Sequence, residues 1–282
     1  VDAARRKLLA ARERRVWPGR DEKLIVSWNG LMILGLARAA RVLDRPDLAA
    51  AATRAVDFIR AELWSDGRLK ATYKDGRARF AGYLDDYANL ARGLLELLQC
   101  RWRDADLTFA RELVEVLLER FEDPRGGFFF TADDHERLIH RPKPFADEAV
   151  PAGNGVAAVT LVALGHLLGE QRYLDAAERT VRAALAAAEQ HPEAYATLLA
   201  ALDALLTPPT LVVVRGTPAE LARWGPKIQK TERPQRLAFA IPNDAVLPGL
   251  LAQRAPRAKA VAYVCAGMTC RAPLELAEDV EL

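Results

Sequence analysis

The chain has 282 residues, enough for one large domain or for a large and a small one. Its 51% hydrophobic and 28% charged residues are ordinary for a soluble globular protein, and a net charge of +2 gives no electrostatic case for nucleic acid. No apolar run reaches membrane-spanning length without a charge. We therefore expect no nucleic-acid partner and no membrane partner.

The cysteines and the amino terminus bear on the origin of the chain. Three cysteines, an odd number, argue against a disulfide framework and for a reducing compartment, so we expect a cytoplasmic protein. The sequence starts at Val1 without a signal-peptide pattern. We expect a fragment of a longer protein.

Residues 1–15 are rich in Ala, Leu and Arg, which predicts a helix. Leu8, Leu9 and Val16 are expected to face a core. The arginines between them indicate a solvated face rather than a nucleic-acid or membrane patch. Pro18 and the glycine after it end this helix.

The next part of the chain repeats one pattern, in which an apolar helix is followed by a helix with one polar face. A helix that is apolar all round is typical of a core, and a striped helix of a surface. The predicted inner helices cover residues 27–43, 86–99, 154–168 and 193–206. The predicted outer helices cover residues 47–63, 107–121 and 173–188. The repeat favours a superhelical stack or a closed toroid of helical hairpins.

In a toroid of this kind, all inner helices are parallel and their N-termini meet on one rim. Two acidic pairs precede the inner helices, and we predict that they are catalytic: Asp85 and Asp86, and Asp147 and Glu148. Acid–base chemistry on a sugar needs two carboxylates roughly 5–10 Å apart across the substrate, which two rim loops can supply. In the alternative interpretation, Asp86 and Asn154 are helix N-caps and Asp147 pairs with Arg141 or Lys143.

Four further rim residues are predicted to bind a small polar ligand: Trp28, Asn29, Tyr83 and Asn154. Trp28 suits stacking on a sugar ring, and it equally suits a place in the core. No zinc signature, phosphate loop or nucleophile motif is present in the sequence, so neither a metal nor a cofactor is predicted.

Extended segments interrupt the helices. Residues 68–73 precede a turn signal, and residues 126–131 are predicted to pair with residues 138–139 in a second hairpin. After Pro208 strands alternate with helices, which predicts a small α/β appendage and domains at 1–207 and 208–282. The four-residue gap between Cys265 and Cys270 favours structural thiols over a metal site or a redox pair.

Four ordered segments carry a resemblance over essentially the whole chain: Asp21 to Lys23 with Ser27 to Leu31, Leu84 to Ala88, Pro151 to Asn154, and Tyr263 to Cys265 with Cys270 and Pro273. They resemble the C-terminal part of the thioredoxin-domain-containing proteins that include spermatogenesis-associated protein 20. The resemblance implies a mainly α fold, an incomplete (α/α)6 toroid related to N-acylglucosamine 2-epimerases and six-hairpin glycosidases. It also implies that an N-terminal thioredoxin-like domain and the first hairpins are absent from this chain. Ala152 departs from the family, which usually has Ser there.

Two functions are consistent with these features. The first is a carbohydrate-binding toroid, possessing hydrolase or epimerase activity at the rim carboxylates. The second is a non-catalytic scaffold that supports a thioredoxin-like redox domain, since fold does not by itself determine function. Because inner helices without partners expose apolar faces, we expect the isolated chain to dimerise or precipitate.

Overall fold

The computed structural model describes residues 1–136, 138–229 and 235–275. The helices, in chain order, are α1 (Asp2–Glu13), α2 (Val26–Val42), α3 (Pro46–Glu62), α4 (Leu84–Cys100), α5 (Asp104–Val116), α6 (Gly153–Leu168), α7 (Gln171–Gln190), α8 (Ala196–Leu206) and α9 (Pro218–Gln229). A π-helical turn, Leu117–Phe121, continues α5. The mainly α character that the sequence predicts is confirmed. Within the described ranges, no helix has both the length and the apolar character to cross a membrane.

The helices before residue 207 form two layers. In the inner layer α2, α4, α6 and α8 pack side by side in that order, and α3, α5 and α7 pack against them as the outer layer. The inner helices are parallel, since the first residues of each lie beside the first residues of the next. The backbone of Gly30 on α2 approaches Asn89 on α4, and Gly155 on α6 lies against Thr197 on α8.

Burial is greatest in the middle of the inner layer. All but three residues of α4 and all but one of α6 are buried. On α2, however, only one face is buried, and Trp28, Met32 and Val42 are exposed. On α8 only Leu198 and Ala201 are fully buried. The prediction that both end helices are buried all round is therefore wrong, because each has an inner-layer neighbour on one side only among the described residues.

The first helix also differs from the prediction. No residue of α1 is buried, and Leu8, Leu9 and Val16 are all exposed. The expectation that they face a core is wrong. Helix-forming composition favours the helical conformation, but it does not supply a surface for these side chains to pack on.

A small antiparallel sheet combines one strand before α2 with three strands between α3 and α4. Its strands are β1 (Leu24–Ile25), β2 (Trp64–Ser65), β3 (Arg68–Lys74) and β4 (Arg77–Ala81), and β3 pairs with the other three. The hairpin predicted near residues 68–73 is thus confirmed. The hairpin predicted at residues 126–131 and 138–139 is wrong: the first segment makes only an isolated bridge at Phe128, and 138–139 is not a strand. Gly126 and Gly127 have φ of 101° and 78°, which interrupts an extended strand.

The C-terminal strands form a second, mixed sheet. They are β5 (Thr210–Gly216), β6 (Arg236–Pro242), β7 (Val261–Ala266), β8 (Thr269–Cys270) and β9 (Leu274–Glu275). Central β5 is parallel to β6 and antiparallel to β7. One face of the sheet carries Phe239 into the same core as the helices, and the other packs on α9. At the end of α4, Gln99 accepts a hydrogen bond of 3.1 Å from the backbone N–H of Ala238 on β6. The domain boundary at 207/208 stays a prediction.

The cysteine prediction needs correction. Cys265 and Cys270 face each other on β7 and β8 and form a disulfide, and Cys100 is not part of a disulfide. Counting cysteines was misleading, because an odd total is compatible with one bonded pair and one half-buried thiol. Strand register, which the count ignores, decides which cysteines meet.

Glycines let α2 and α4 approach closely, and this contact can be tested. A Cβ on Gly30 would lie 2.6 Å from backbone atoms of Asn89 and Leu90, whereas a Cβ on Gly35 of the same helix would meet nothing within 4 Å. We expect Gly30→Ala to lower the free energy of unfolding by about 3 kcal/mol through overpacking. Gly35→Ala, the matched control, should raise it by about 0.5–1 kcal/mol through helix propensity. Urea denaturation of both variants measures the difference, and equal effects would contradict the packing described.

Candidate functional site

The N-termini of the inner helices are joined by carboxylates. Asp86 accepts hydrogen bonds of 2.9 Å from the backbone N–H of Ser27 at the start of α2 and of Tyr83 at the start of α4. The prediction that Asp86 occupies the N-cap position is wrong, because Tyr83 holds it and Asp86 is at N3. From there one buried carboxylate caps two helices at once. Burial raises the pKa of Asp86 to about 6, although the two N–H donors favour the charged form.

Asp147 does the same for the next two helices. Its Oδ1 accepts from the backbone N–H of Ala152, the residue before α6, and its Oδ2 accepts from that of Thr197 in α8, each at 2.8 Å. The predicted pairing with Arg141 or Lys143 is wrong. Arg141 donates to the Thr131 carbonyl, and Lys143 donates to Asp123 and the Gly126 carbonyl.

The two predicted asparagines also bind backbone. Asn154 accepts from the N–H of Phe128 at 2.7 Å and donates to the carbonyls of Phe128 and Pro144, which ties the preceding loop to α6. It lies inside the helix and does not occupy the N-cap position, which belongs to Ala152. Asn29 donates to the carbonyl of Ile25 at 2.8 Å.

The remaining predicted residues are free of such roles. Trp28 is 63% exposed, so its interpretation as a core residue is wrong. Glu148, one of the predicted rim carboxylates, is exposed. The Tyr83 ring stacks on Phe130 at 5.0 Å between centroids and lies 5.8 Å from the His135 ring.

Asp85 differs from the other rim carboxylates. Its Oδ1 is buried and has no hydrogen bond of normal geometry within the described ranges. It lies against the first residue of α6, where a Cβ on Gly153 would be only 2.2 Å away. Burial raises the pKa of Asp85, and the Gly153 N–H offsets part of that rise.

Asp85 is the first of four polar residues spaced i, i+4, i+7 and i+11 on α4. The others are Asn89, Arg92 and Glu96, and we call this set the α4 polar stripe. Residues at this spacing share one helix face. Only Asp85 of this set was predicted as a site residue from the sequence, although the spacing is visible in the sequence.

The neighbours of α4 show which way this face points. Tyr87 packs on Phe121 at the end of the outer α5, and Gly93 lies against Ile33 of α2. At 100° per residue, the stripe lies on the side of α4 away from the outer layer. It begins at the rim with Asp85 and runs toward Gln99, where β6 packs.

Two members of the stripe hold buried polar atoms without partners. Asn89 is 2% exposed, and its Oδ1 accepts no hydrogen bond from any described residue. The Oδ1 of Asp85 accepts none of normal geometry, although the Gly153 N–H lies near enough to favour its charged form. Such an acceptor costs roughly 1–3 kcal/mol relative to a satisfied one. Unsatisfied buried acceptors are uncommon in proteins, so these two oxygens on adjacent turns of α4 are candidates for contact with a ligand.

A further residue near the rim was missed. Phe80, on β4, is 63% exposed and has φ of 60°, a conformation that is unfavourable for a residue with a bulky side chain. It lies four residues before the start of α4. Backbone outliers of this kind concentrate at functional positions. Within the described ranges, no group of His, Cys, Asp and Glu side chains is arranged to hold a metal ion.

Comparison with known proteins identifies relatives of this chain. No protein-family model matches it. It is 31% identical over 224 residues to spermatogenesis-associated protein 20 of Rattus norvegicus, a match that covers 75% of this chain and 28% of the relative. The Homo sapiens protein of the same name is 28% identical over 288 residues, covering 95% of this chain and 37% of the relative. This chain is homologous to spermatogenesis-associated protein 20.

The chain thus spans less than half the length of these relatives. Among solved structures, cellobiose 2-epimerase from Spirochaeta thermophila is similar at 18% identity with a TM-score of 0.47. That match covers 57% of this chain and 43% of the epimerase.

The two capping roles assigned to Asp86 make its titration a test. Its folded pKa of about 6 lies above the ordinary 3.8, so the native state binds more protons than the unfolded state between these values. Stability contributed by Asp86 should therefore fall as pH rises, by about 3 kcal/mol in total. We expect the stability advantage of wild type over Asp86→Asn, measured by urea unfolding, to be smaller at pH 7 than near pH 3.5.

Asp123→Asn is the control with the opposite sign. Its hydrogen bonds from Lys143 and Arg125 hold the pKa of Asp123 well below its usual value, so its contribution is lost as pH falls. The wild-type advantage over Asp123→Asn should be larger at pH 7 than near pH 3.5. Parallel pH dependence in the two variants would refute the assignment of Asp86 as a buried, doubly bonded cap.

Proposed function

We propose that this chain binds a carbohydrate-like polyol at the N-terminal rim and along the α4 polar stripe. The pair of buried, unpartnered acceptors on Asp85 and Asn89 carries the proposal. Hydroxyl groups of a polyol are donors that satisfy both, and a ligand that supplies them recovers the free energy that the empty site loses.

Other rim residues complete the proposed site. Exposed Trp28 and Phe80, and the stacked ring of Tyr83, offer aromatic faces for the apolar side of a sugar ring. Arg92 offers guanidinium donors to ring or hydroxyl oxygens. Asn29 and Asn154 act indirectly in this proposal, because their amides hold the backbone of the rim.

The four predicted catalytic carboxylates divide into two groups. Asp86 and Asp147 each use both oxygens on backbone N–H groups, so we assign them to positioning. For hydrolase or epimerase chemistry, Asp85 is the proposed general acid, because burial raises its pKa and favours the protonated form. Exposed Glu148 is the proposed base.

We also propose that these hairpins belong to an incomplete (α/α)6 ring. The matched relatives are much longer than this chain, and the remaining hairpins and a thioredoxin-like domain would lie in the unmatched part. The exposed side of α2, with Met32 and Val42, is where a further inner helix would pack.

A second function is favoured by that same surface. Trp28, Met32, Val42 and Leu43 are all more than half exposed, and a non-catalytic module would use such a face to dock a thioredoxin-like domain. In that case the carboxylates serve only as caps. Self-association of the chain in sedimentation, together with no sugar binding, is the outcome expected for this alternative.

Asn89 offers the sharpest test of polyol binding. We expect Asn89→Leu to leave the free energy of unfolding unchanged or to raise it by about 1 kcal/mol, because it removes an unsatisfied buried oxygen. The same change should weaken binding of neutral monosaccharides and polyols at least tenfold in titration calorimetry, since it removes one of the two acceptors.

Thr160→Val on α6 is the matched control. Thr160 is buried like Asn89, but its hydroxyl already donates to the Val156 carbonyl at 2.7 Å. We expect this variant to lose about 1 kcal/mol of stability and to keep its affinity. Binding that survives Asn89→Leu, or a wild type that binds no member of the panel, would exclude the proposed site.

A further inference from the structure

The inner end of the α4 polar stripe holds an excess of positive charge. Glu96 lies among three arginines: it forms an ion pair with Arg41, its Oε2 is 3.4 Å from Arg38 Nε, and Arg92 Nη2 is 4.0 Å from the same oxygen. One carboxylate thus faces three guanidinium groups.

Burial makes this excess significant. The side chain of Glu96 is 3% exposed and that of Arg92 15%, so water screens their charges poorly. Burial, together with repulsion by Arg38 and Arg41, lowers the pKa of Arg92 to about 10. Arg38, at 50% exposed, connects the cluster to solvent.

The arginines around Asp106 provide a comparison, and they differ from those around Glu96. Asp106 also faces three arginines, but there the spare donors have other acceptors. Arg60 donates to the Ala105 carbonyl, Arg101 to Thr53 Oγ1, and Arg103 to Asp57.

The guanidinium of Arg92 has no comparable acceptor. Its contact with Glu96 is beyond hydrogen-bond range, and it donates no hydrogen bond to any residue in the described ranges. Arg92 lies two turns along the stripe from Asp85 and one from Asn89, whose side-chain oxygens also lack partners.

We propose that Arg92, with Arg38, binds an oxyanion, so that the ligand of the α4 polar stripe is a polyol bearing a carboxylate or phosphate group. The inference rests on the proposed function, because it assigns the substrate class of that same site. A guanidinium group matches the planar or tetrahedral oxygens of such an anion and forms charge-assisted hydrogen bonds with them.

The stripe also orients such a ligand. Asp85 and Arg92 are seven residues apart, a rise of ~10 Å along the helix. The carboxyl group at Asp85 accepts from hydroxyls, whereas the positive end at Arg92 attracts an oxyanion. The hydroxyls therefore lie toward the rim and the oxyanion lies toward Glu96.

Titration calorimetry on the 282-residue chain tests this assignment. The ligands are D-glucose, D-glucuronate, D-glucose 6-phosphate and inorganic phosphate. We expect wild type to bind at least one anionic sugar at least tenfold more tightly than glucose, and the preference to shrink as salt rises. The two anionic sugars distinguish a carboxylate from a phosphate.

Three variants locate the effect. Arg92→Met should reduce the preference for the anionic sugar at least tenfold. Arg38→Met should also reduce it, and because Arg38 is half exposed its loss does not threaten folding. Arg182→Met is the control, since Arg182 is an exposed helix residue that pairs with Glu178, and it should behave as wild type.

The outcomes separate the two proposals. Equal affinity for glucose and both anionic sugars would overturn the oxyanion site and leave polyol binding standing. Inorganic phosphate bound by wild type and lost in Arg92→Met, with no sugar bound, would support the oxyanion site and overturn polyol binding. No binding of any ligand would overturn both.

Discussion

The sharing of one carboxylate by the N-termini of two helices is the interaction on which this structure depends. Asp86 reaches from α4 to the first turn of α2, and Asp147 joins α6 to α8. Each carboxylate satisfies N–H groups that a helix cannot satisfy by itself, and it lies where the helix dipole favours negative charge. Parallel inner helices require such shared caps, because their N-termini come together on one rim.

These hydrogen bonds change the functional interpretation of the four rim carboxylates. Acidic pairs before apolar helices suggest acid–base catalysis, yet two of the four carboxylates have both oxygens engaged by backbone. Asp85 is left with a buried, unpartnered oxygen, and the polar stripe continues from it along α4 to Asn89, Arg92 and Glu96. The side chains that are available to a ligand are thus those that the fold does not use for itself.

Close packing and polarity are combined on the same helix. Glycines bring α2 within backbone contact of α4 on one side, and a buried aromatic contact joins α4 to the outer layer on another. The polar stripe occupies the side that remains. Its carboxyl end at Asp85 lies at the rim and its arginine end lies toward β6, so the packing that stabilises the helix also sets the direction in which the stripe changes from acceptors to donors.

Hydrophobic patterning in the sequence was sufficient to predict the alternating inner and outer helices. Short apolar runs beside turn signals were sufficient for the β3–β4 hairpin and the C-terminal strands, because both kinds of pattern are local. The sequence also contains the spacing of the α4 polar stripe. Only the tertiary structure decided that Asp147 caps two helices rather than pairing with Arg141, that Cys265 meets Cys270, and that α1 and one face of α2 stay exposed. These outcomes depend on which surfaces and strands meet across long sequence separations, and no local pattern of residues encodes that.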